Sequence, residues 1–153
     1  MANKAGVSPL EAHLGYWLRF VSNQVSHSFE RKVAALEVSV AEWVVLRELF
    51  DGVPVVPSVL AARIGMTRGA VSKIMDRLEA KALLTRTENE RDRRFQVVAL
   101  SAKGRALVPR LAALADQNDR EFFGHLRPAE RQQLERMMRD VVRRHGLTAV
   151  PVD

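Results

Sequence analysis

The residues best suited to a binding chemistry form one face of a predicted helix that follows Thr67. Apolar residues recur after Thr67 at spacings of three and four, which predicts a helix with one buried face. The other face carries Arg68, Gly69, Ser72, Lys73 and Arg77. Arg and Ser hydrogen-bond base edges, Lys and Arg bind phosphates, and a small residue permits close approach. The pattern predicts a nucleic-acid contact; the alternative is an ordinary solvated face. Because phosphate would repel Asp76, we expect it to pair with Lys73 or Arg77.

A short helix and a tight turn precede this face. Pro57 suits the first position of a helix, and Gly65 can end that helix in the left-handed conformation. Two helices joined by such a turn form a helix-turn-helix, whose second helix lies in the major groove of DNA. Ser58 and Thr67 complete the candidate DNA contacts of this unit. The Thr67 hydroxyl and the nearby backbone N–H groups suit a phosphate.

A charged hairpin is predicted after this unit. Residues 83–87 and 95–100 are rich in apolar and β-branched residues, which predicts two strands, and the residues between them are almost wholly charged. Such a wing can place Arg93 or Arg94 in a minor groove, where the negative potential is strongest. Asp92 has no use against DNA, so we expect it to orient an arginine or to tie the wing to its own domain. The alternative is a merely soluble loop.

The remaining helices are predicted from their capping residues and apolar periods. A long first helix spans about 9 to 35, with an apolar stripe along one side. A sixth helix opens at Pro128, where the preceding Arg127 is a poor cap. Good capping residues precede four of the helices, namely Ser8, Ser39, Thr67 and Ser101.

The formal net charge of +6, from 24 basic and 18 acidic side chains in 153 residues, is unevenly distributed. Residues 1–60 carry a net charge of −1, residues 61–100 carry +4 and residues 101–153 carry +3. The middle segment is the most basic for its length, as a unit that binds a polyanion would be. In the last segment arginines alternate with acids at helical spacing, which predicts ion pairs on a solvated face.

Composition excludes or disfavours several classes of function. The chain has no Cys, which excludes disulfides, thiolate metal sites, a Cys nucleophile and a thiol redox sensor. His13 and His27 would stand about 21 Å apart on one helix, too far to share a metal ion. The sequence contains no catalytic constellation and no phosphate-binding glycine loop, so we expect no enzyme, metal or cofactor. No apolar run could span a bilayer and the first eight residues lack a signal core, so we expect a soluble, cytoplasmic protein.

These motifs together resemble the MarR family of bacterial transcriptional regulators. The resemblance rests on residues 57–61, 65–72, 77–79, 92–94 and 98–101. Its most specific part is the Asp-Arg-Arg sequence of the wing, followed by a strand that ends in Leu-Ser. The resemblance implies a mainly α-helical fold with a small β-hairpin wing. It also implies a winged helix-turn-helix DNA-binding domain over 36–100, between dimerisation segments over 1–35 and 101–153.

The resemblance further implies a homodimer that binds double-stranded DNA at a pseudopalindromic operator and usually represses. The positions that match the family's recognition helix and wing are Arg68, Ser72, Lys73, Arg77, Arg93 and Arg94. Of the two wing arginines, Arg94 is favoured for insertion into the minor groove. Many members release DNA when a small, often aromatic and anionic, compound binds between the DNA-binding and dimerisation parts. Some branches sense oxidants through Cys, which this chain cannot do.

Dimerisation is also expected from the helical pattern itself. One protomer of this length has little core against which to bury both the long first helix and the last two amphipathic helices, and a second copy would supply it. For a small ligand, the candidate contacts are His13, Trp17, Phe20 and Arg47, the last facing a carboxylate. Trp17 also belongs to the apolar stripe, so core packing is the alternative for that residue.

Two classes of function therefore stay open from the sequence. The first is a dimeric, sequence-specific DNA-binding regulator that responds to a ligand. The second is a winged-helix module used for non-specific DNA architecture or for protein interaction, which would contact phosphates without preferring one base sequence.

Overall fold

The computed structural model describes residues 6–148. Within that range the chain forms six α-helices and one antiparallel hairpin, which confirms the predicted mainly α-helical fold. In chain order the elements are α1 (Leu14–Ala34), α2 (Val40–Phe50), α3 (Pro57–Ile64), α4 (Arg68–Ala80), β1 (Leu84–Glu88), β2 (Gln96–Leu100), α5 (Ala102–Phe123) and α6 (Pro128–Arg144). Residues 1–5 and 149–153 lie outside this range. They include the outer ends of the two predicted dimerisation segments and most of the first eight residues, which were predicted to lack a signal core. None of the described helices is long and apolar enough to cross a membrane.

The first helix begins later than its sequence pattern predicts. A 3-10 turn covers Leu10–Ala12, His13 is extended (φ −101°, ψ 125°), and α1 starts only after it. The prediction that Ser8 caps the helix is wrong, because neither the turn nor α1 has a side-chain cap. Instead, the indole Nε1 of Trp17 donates to the Glu11 carbonyl at 2.9 Å, which satisfies an acceptor that a continuous helix would have bonded to its backbone.

Caps predicted for the later helices are present. Ser39 accepts from the Glu42 backbone at 3.1 Å and its own N–H donates to the Glu42 carboxylate at 3.0 Å, a complete capping box for α2. At α5, the Ser101 hydroxyl likewise accepts from the backbone N–H of Gly104, at 3.0 Å, and so caps the helix. Arg127 makes no such bond at α6 because a guanidinium cannot accept. There the Glu130 carboxylate accepts from the Arg127 N–H at 2.8 Å, which satisfies one free donor at the helix start.

The two strands pair in register along their full length. β1 starts one residue later than predicted because the N–H of Leu83 still bonds the Leu78 carbonyl at the end of α4, at 2.9 Å. Val55, in the segment before α3, exchanges two backbone hydrogen bonds with Val98 of β2, at 3.1 and 2.9 Å. The hairpin is thereby attached to the segment that leads into α3.

A single apolar core joins every helix except α6. Its fully buried members include Val33, Leu46, Leu60, Leu78, Val98 and Leu111, contributed in turn by α1, α2, α3, α4, β2 and α5. The predicted inner face of α4 is buried in this core. By contrast, α6 contributes no buried residue, and the apolar stripe on the first half of α1 is exposed. The core of one protomer therefore leaves two amphipathic helix faces uncovered.

The start of α5 is in direct backbone contact with the segment that follows α4. The N–H of Ser101 donates to the Leu83 carbonyl at 3.1 Å, and the Ser101 hydroxyl donates to the Ala82 carbonyl at 2.6 Å. Gly104 is buried at this contact, and a Cβ there would lie 2.2 Å from the Leu83 carbonyl oxygen. Because only glycine permits this approach, α5 is held close to the end of α4.

We expect Gly104→Ala to lower the free energy of unfolding by about 1–3 kcal/mol, as for an overpacked core site, because the Leu83 backbone must move. Gly69→Ala is the matched control. A Cβ there would have no neighbour within 4 Å, so stability should be unchanged or should rise by up to about 1 kcal/mol. Urea unfolding of both variants at one protein concentration measures the difference. Equal free energies of unfolding would contradict the contact.

Candidate nucleic-acid interface

The turn between α3 and α4 contains the predicted left-handed residue. Gly65 has φ 68° and ψ 30°, and the N–H groups of Gly65 and Met66 both bond the Ala61 carbonyl. Thr67 then begins α4, because its Oγ1 accepts from the Ala70 backbone at 3.1 Å. The remaining N–H groups in the first turn of α4 have no partner within the helix, so this end suits an anion. The local geometry is that of a helix-turn-helix.

The outer face of α4 is open to solvent. The residues predicted on it are all exposed, namely Arg68, Gly69, Ser72, Lys73 and Arg77. Thr67 is also exposed, whereas Ser58 lies half-buried in the first turn of α3. Within residues 6–148, no carboxylate lies within 4 Å of any of the three cations on this face. The structure therefore brings the α4 candidates together on one positively charged surface.

Asp76 does not pair with Lys73 or Arg77, so that prediction is wrong. Its carboxylate binds the guanidinium of Arg86 on β1, at 2.5 Å. The Nε of Arg86 lies 2.7 Å from the Glu79 carboxylate, a charge contact without the alignment of a hydrogen bond. The wing strand thus neutralises the two acids of α4, and the three α4 cations have no acidic neighbour within 4 Å among residues 6–148. Sequence spacing on one helix could not reveal a partner on another element.

Arg86 is a residue of this surface that its sequence context does not single out. Its side chain is only 22% exposed, and it connects α4 to the wing through two carboxylates. The signal in the sequence is modest: Asp76 and Glu79 are three residues apart and share a helix face, and the first strand offers one cation that could reach them. Arg86 is a positioning residue, because it fixes β1 against α4.

The wing tip holds one arginine in a defined orientation. Arg94 donates from Nε to Oδ1 of Asp92 at 3.0 Å and from Nη2 to Oδ2 at 2.8 Å, and its backbone N–H donates to Oδ1 at 3.1 Å. The side-chain bonds, followed by the backbone bond, lower the pKa of the Asp92 carboxyl, and the same pair raises the pKa of Arg94. Asp92 therefore orients an arginine, as predicted. Arg94 remains 84% exposed and Arg93 is exposed beside it.

Three of the five arginines of α6 pair with acids at the helical spacing that the sequence predicts. Arg139 binds Glu135 at 2.8 Å, and both Arg143 and Arg144 bind Asp140. These pairs lie at the solvent surface and compensate one another locally. The positive charge of the outer face of α4 is not balanced in this way, so it is available to a polyanion.

The four ligand candidates are not gathered around one cavity. Trp17 lines an apolar groove of about 540 Å³ between α1 and α6. Its side chain is 48% exposed, so the alternative prediction that Trp17 packs in the core of the protomer is wrong. Arg47 lines a different cleft and binds Asp51 at 2.5 Å. His13 and Phe20 are exposed and line neither of these two. Among residues 6–148, no three His, Asp or Glu side chains come together as a metal site.

Known proteins share both the local motif and the whole arrangement of this chain. A model of the MarR family matches residues 36–94, from the turn before α2 to the wing tip. The HTH-type transcriptional regulator PrsX of Escherichia coli is 25% identical over 136 residues, which cover 87% of this chain and 82% of PrsX. The similarity therefore extends well beyond the helix-turn-helix.

Solved structures extend the comparison to three dimensions. BpsR of Bordetella bronchiseptica, solved in work on the regulation of its DNA binding by 6-hydroxynicotinic acid, is 27% identical. The match has a TM-score of 0.79 and covers 89% of this chain and 97% of BpsR. A mutant of E. coli MarR in complex with operator DNA matches with a TM-score of 0.77 at 23% identity, over 84% of this chain and 93% of that one, and shows the shared fold. The chain is thus similar to MarR family regulators in its winged helix-turn-helix segment, and over most of its length to an HTH-type transcriptional regulator.

Proposed function

We propose that this regulator is a homodimeric repressor that binds a pseudopalindromic operator in double-stranded DNA and leaves it when a small ligand binds. The observation that carries the proposal is the exposed cationic face of α4, which starts at a capped, anion-ready helix end. In this proposal residues 36–100 bind DNA, and residues 1–35 and 101–153 form the dimer.

The outer face of α4 suits the major groove. Arg68 is the first residue of α4, where recognition helices meet base edges, and its fork of donors fits O6 and N7 of guanine. Ser72 follows one turn later and can bond several bases, while the missing side chain of Gly69 leaves room for the groove wall. Lys73 and Arg77 suit phosphates on the flanks. Thr67 and Ser58, at the starts of α4 and α3, are further candidates for backbone contacts.

The wing suits the minor groove. Asp92 already holds the guanidinium of Arg94 in one orientation, so less side-chain freedom is lost when the arginine is inserted. The pair also keeps the Asp92 charge from repelling phosphate. Arg93 has no acidic partner within 4 Å among residues 6–148 and can contact the DNA backbone. Arg86 fixes the strand that carries this tip against α4, so helix and wing approach DNA as one body.

The uncovered apolar faces support a dimer. Leu14 and Leu18 of α1 and Met137 and Val141 of α6 line the apolar groove, and all four are more than half exposed. Exposed apolar surface of this kind marks an interface, and α6 has no other means of burying its apolar side. A two-fold axis would let each copy cover the other. It would also set the two α4 helices about one DNA turn, roughly 34 Å, apart.

Release by a ligand is supported by the similarity to BpsR, whose DNA binding is regulated by 6-hydroxynicotinic acid, an aromatic acid. We include in the proposal a small aromatic or anionic effector for this chain. His13, Trp17, Phe20 and Arg47 stay candidates for it, with the aromatic residues of α1 next to the proposed dimer surface. Titration of phenolic and heteroaromatic acids against the DNA complex tests this part, and a lack of response across the series would contradict it.

Competition binding decides between a specific regulator and an architectural module. A specific regulator should prefer DNA from its own upstream region over random DNA of equal length by at least about 10³-fold at one salt concentration. A module that reads only phosphates would bind both alike. Fluorescence anisotropy with unlabelled competitor measures the ratio, and a ratio near one would contradict the proposal.

Two substitutions on α4 should have different effects. Arg68→Ala should relax the base preference at one operator position, at a cost of about 1–3 kcal/mol, because it removes a base-edge contact. Lys73→Ala should weaken binding to all sequences alike and reduce the slope of log K against log salt by about one, because it removes a phosphate contact. Binding to a set of single-base operator variants at several salt concentrations measures both. Indistinguishable profiles would contradict the assigned roles.

The wing pair should behave as a unit. Arg94→Ala should weaken operator binding about tenfold or more, the scale of a charged hydrogen bond. Asp92→Ala should cost less, and the double variant should bind no worse than Arg94→Ala, because Asp92 acts only through Arg94. Because the pKa of Asp92 is lowered, the pair should stay intact throughout the pH range above the ordinary carboxyl pKa. It should be lost only as the pH falls through the lowered pKa. A double-mutant cycle by anisotropy measures the coupling, and simple additivity would contradict it.

A charge placed in the apolar groove should separate the protomers. Met137→Glu should shift the protein from dimer to monomer and reduce operator affinity, because the carboxylate would be buried in the interface. Gln132→Glu adds the same charge to an exposed residue of α6 that does not line the groove, and it should leave the dimer intact. Sedimentation velocity measures the oligomeric state, with circular dichroism to confirm folding. A dimeric Met137→Glu protein would contradict the assigned interface.

A further inference from the structure

A proline interrupts the hydrogen bonding of the longest helix. Pro109 lies inside α5, about two turns after the helix begins. Proline has no backbone N–H, so the Arg105 carbonyl loses its usual helical donor, and the proline ring lies against that same carbonyl. Pro109 and Arg105 are both exposed, whereas Val108 and Leu111 on the opposite side of the helix are buried in the core. The helix is therefore weakened on its solvent side at one defined point, which is where helices bend.

The start of α5, before this point, is anchored to the helix-turn-helix and its neighbours. The two bonds of Ser101 described above hold it to the segment that follows α4. Lys103 donates from Nζ to the backbone carbonyl of Lys81, the C-terminal cap of α4, at 3.0 Å. Arg105 donates from Nη1 to the carbonyl of Phe50, the last residue of α2, at 3.3 Å. These acceptors all lie within residues 36–100, the proposed DNA-binding domain.

The second half of α5, after Pro109, is anchored to the other long helices. The buried Asn118 donates from Nδ2 to a backbone carbonyl of α1 at 3.1 Å and accepts from Nζ of Lys32 at 3.1 Å. Lys32 also pairs with Glu121 at 2.7 Å. Asp119 pairs with Arg131 of α6 at 2.8 Å. These partners all lie within the segments 1–35 and 101–153, which are proposed to form the dimer.

The stretch between the two sets of anchors contains few polar side chains. Residues 106–115 are apolar except for Arg110, and Pro109 lies near their middle. Apolar packing is non-directional, so it can hold this stretch on the core without fixing one bend angle. The two halves of α5 are thus fixed to different parts of the molecule, and the weakest point of the helix lies between them.

We propose that Pro109 is a hinge between the DNA-binding and dimerisation parts, and that it lets the dimer accept operators whose half-sites differ in spacing. Pro109 touches no DNA in this role and is a positioning residue, because it determines how far each α4 can turn towards its half-site. One additional base pair between two half-sites moves one of them by about 3.4 Å and turns it by roughly 35°. A bend in the α5 of each protomer absorbs part of this change. The role in spacing rests on the proposed function, since it needs a dimer on two half-sites, while the hinge itself does not.

Hydrogen exchange of the free, full-length protein tests the hinge. Pro109→Ala supplies the missing donor to the Arg105 carbonyl and removes the ring. After correction for intrinsic rates, peptides that cover residues 104–112 should therefore exchange at least about tenfold more slowly than in the wild-type protein. Asp116→Ala is the matched control, because it places the same helix former at an exposed position of α5 that already has its N–H. It should leave exchange at residues 104–112 unchanged, and equal exchange in Pro109→Ala and wild type would overturn the hinge.

Binding to three operators tests the role in spacing: the natural sequence, one with a base pair inserted at its centre and one with a base pair removed there. Relative to its own affinity for the natural operator, Pro109→Ala should lose at least about tenfold more affinity on the altered operators than wild type does, because a stiffer dimer must deform the DNA instead. Asp116→Ala should behave like wild type, since each protein is compared with itself and the change in charge cancels.

Equal losses in Pro109→Ala and wild type would overturn the role in spacing, even if exchange is slowed. A wild-type protein that does not prefer its natural operator to random DNA would contradict the proposed function, and the exchange measurement would still decide the hinge.

Discussion

The contact between Gly104 and the Leu83 carbonyl is the constraint on which the arrangement of this protein depends. It lets α5 start directly against the segment that leaves α4, and the two bonds from Ser101 hold the same joint. Because α5 also packs on α1 and α2, the helix-turn-helix and the long helices share one core. A change in the position of α5 is therefore felt at the end of α4. A proposed ligand or dimer partner that contacts α5 would therefore be connected directly to α4.

Internal ion pairs determine which charges remain for a polyanion. Arg86 binds Asp76 and Glu79, and Arg94 binds Asp92. Three arginines near the end of α6 bind acids one turn away. Surface pairs of this kind contribute little to stability. Their consequence is electrostatic: Asp76, Glu79 and Asp92 each have a specific cation partner, while the outer face of α4 keeps its positive charge. The net charge of the chain alone would not reveal this division.

The local features of this fold were predictable because they depend on residues a few positions apart. The caps at Ser39, Thr67 and Ser101 and the left-handed Gly65 all follow from side-chain chemistry within one turn. The exposed face of α4 followed from its period, and its individual DNA contacts stay predictions. The late start of α1 was not predicted: His13 is extended, and the Trp17 indole satisfies the Glu11 carbonyl that a continuous helix would have bonded to its backbone.

Tertiary placement also explains the other misjudged residues. Asp76 has its partner on the wing strand, which no spacing along one helix could indicate. Trp17 lies on the apolar stripe of α1. The sequence predicts the stripe but not whether the same chain covers it, because that depends on which helices pack into the core. Pro109 is visible in the sequence, but the two sets of anchors on either side of it depend on contacts between elements.

A hydroxyl-radical footprint of the protein on its own upstream DNA tests the central claim, a two-fold symmetric operator complex, most directly. Two recognition helices about one DNA turn apart, each with a wing, should give protected sites related by a dyad, with their centres roughly 34 Å or 10 base pairs apart. Protection should include the minor groove on the outer side of each half-site, where we propose that the wing arginines bind. A single unsymmetrical protected site, or uniform protection without discrete boundaries, would contradict a dimer that reads two half-sites.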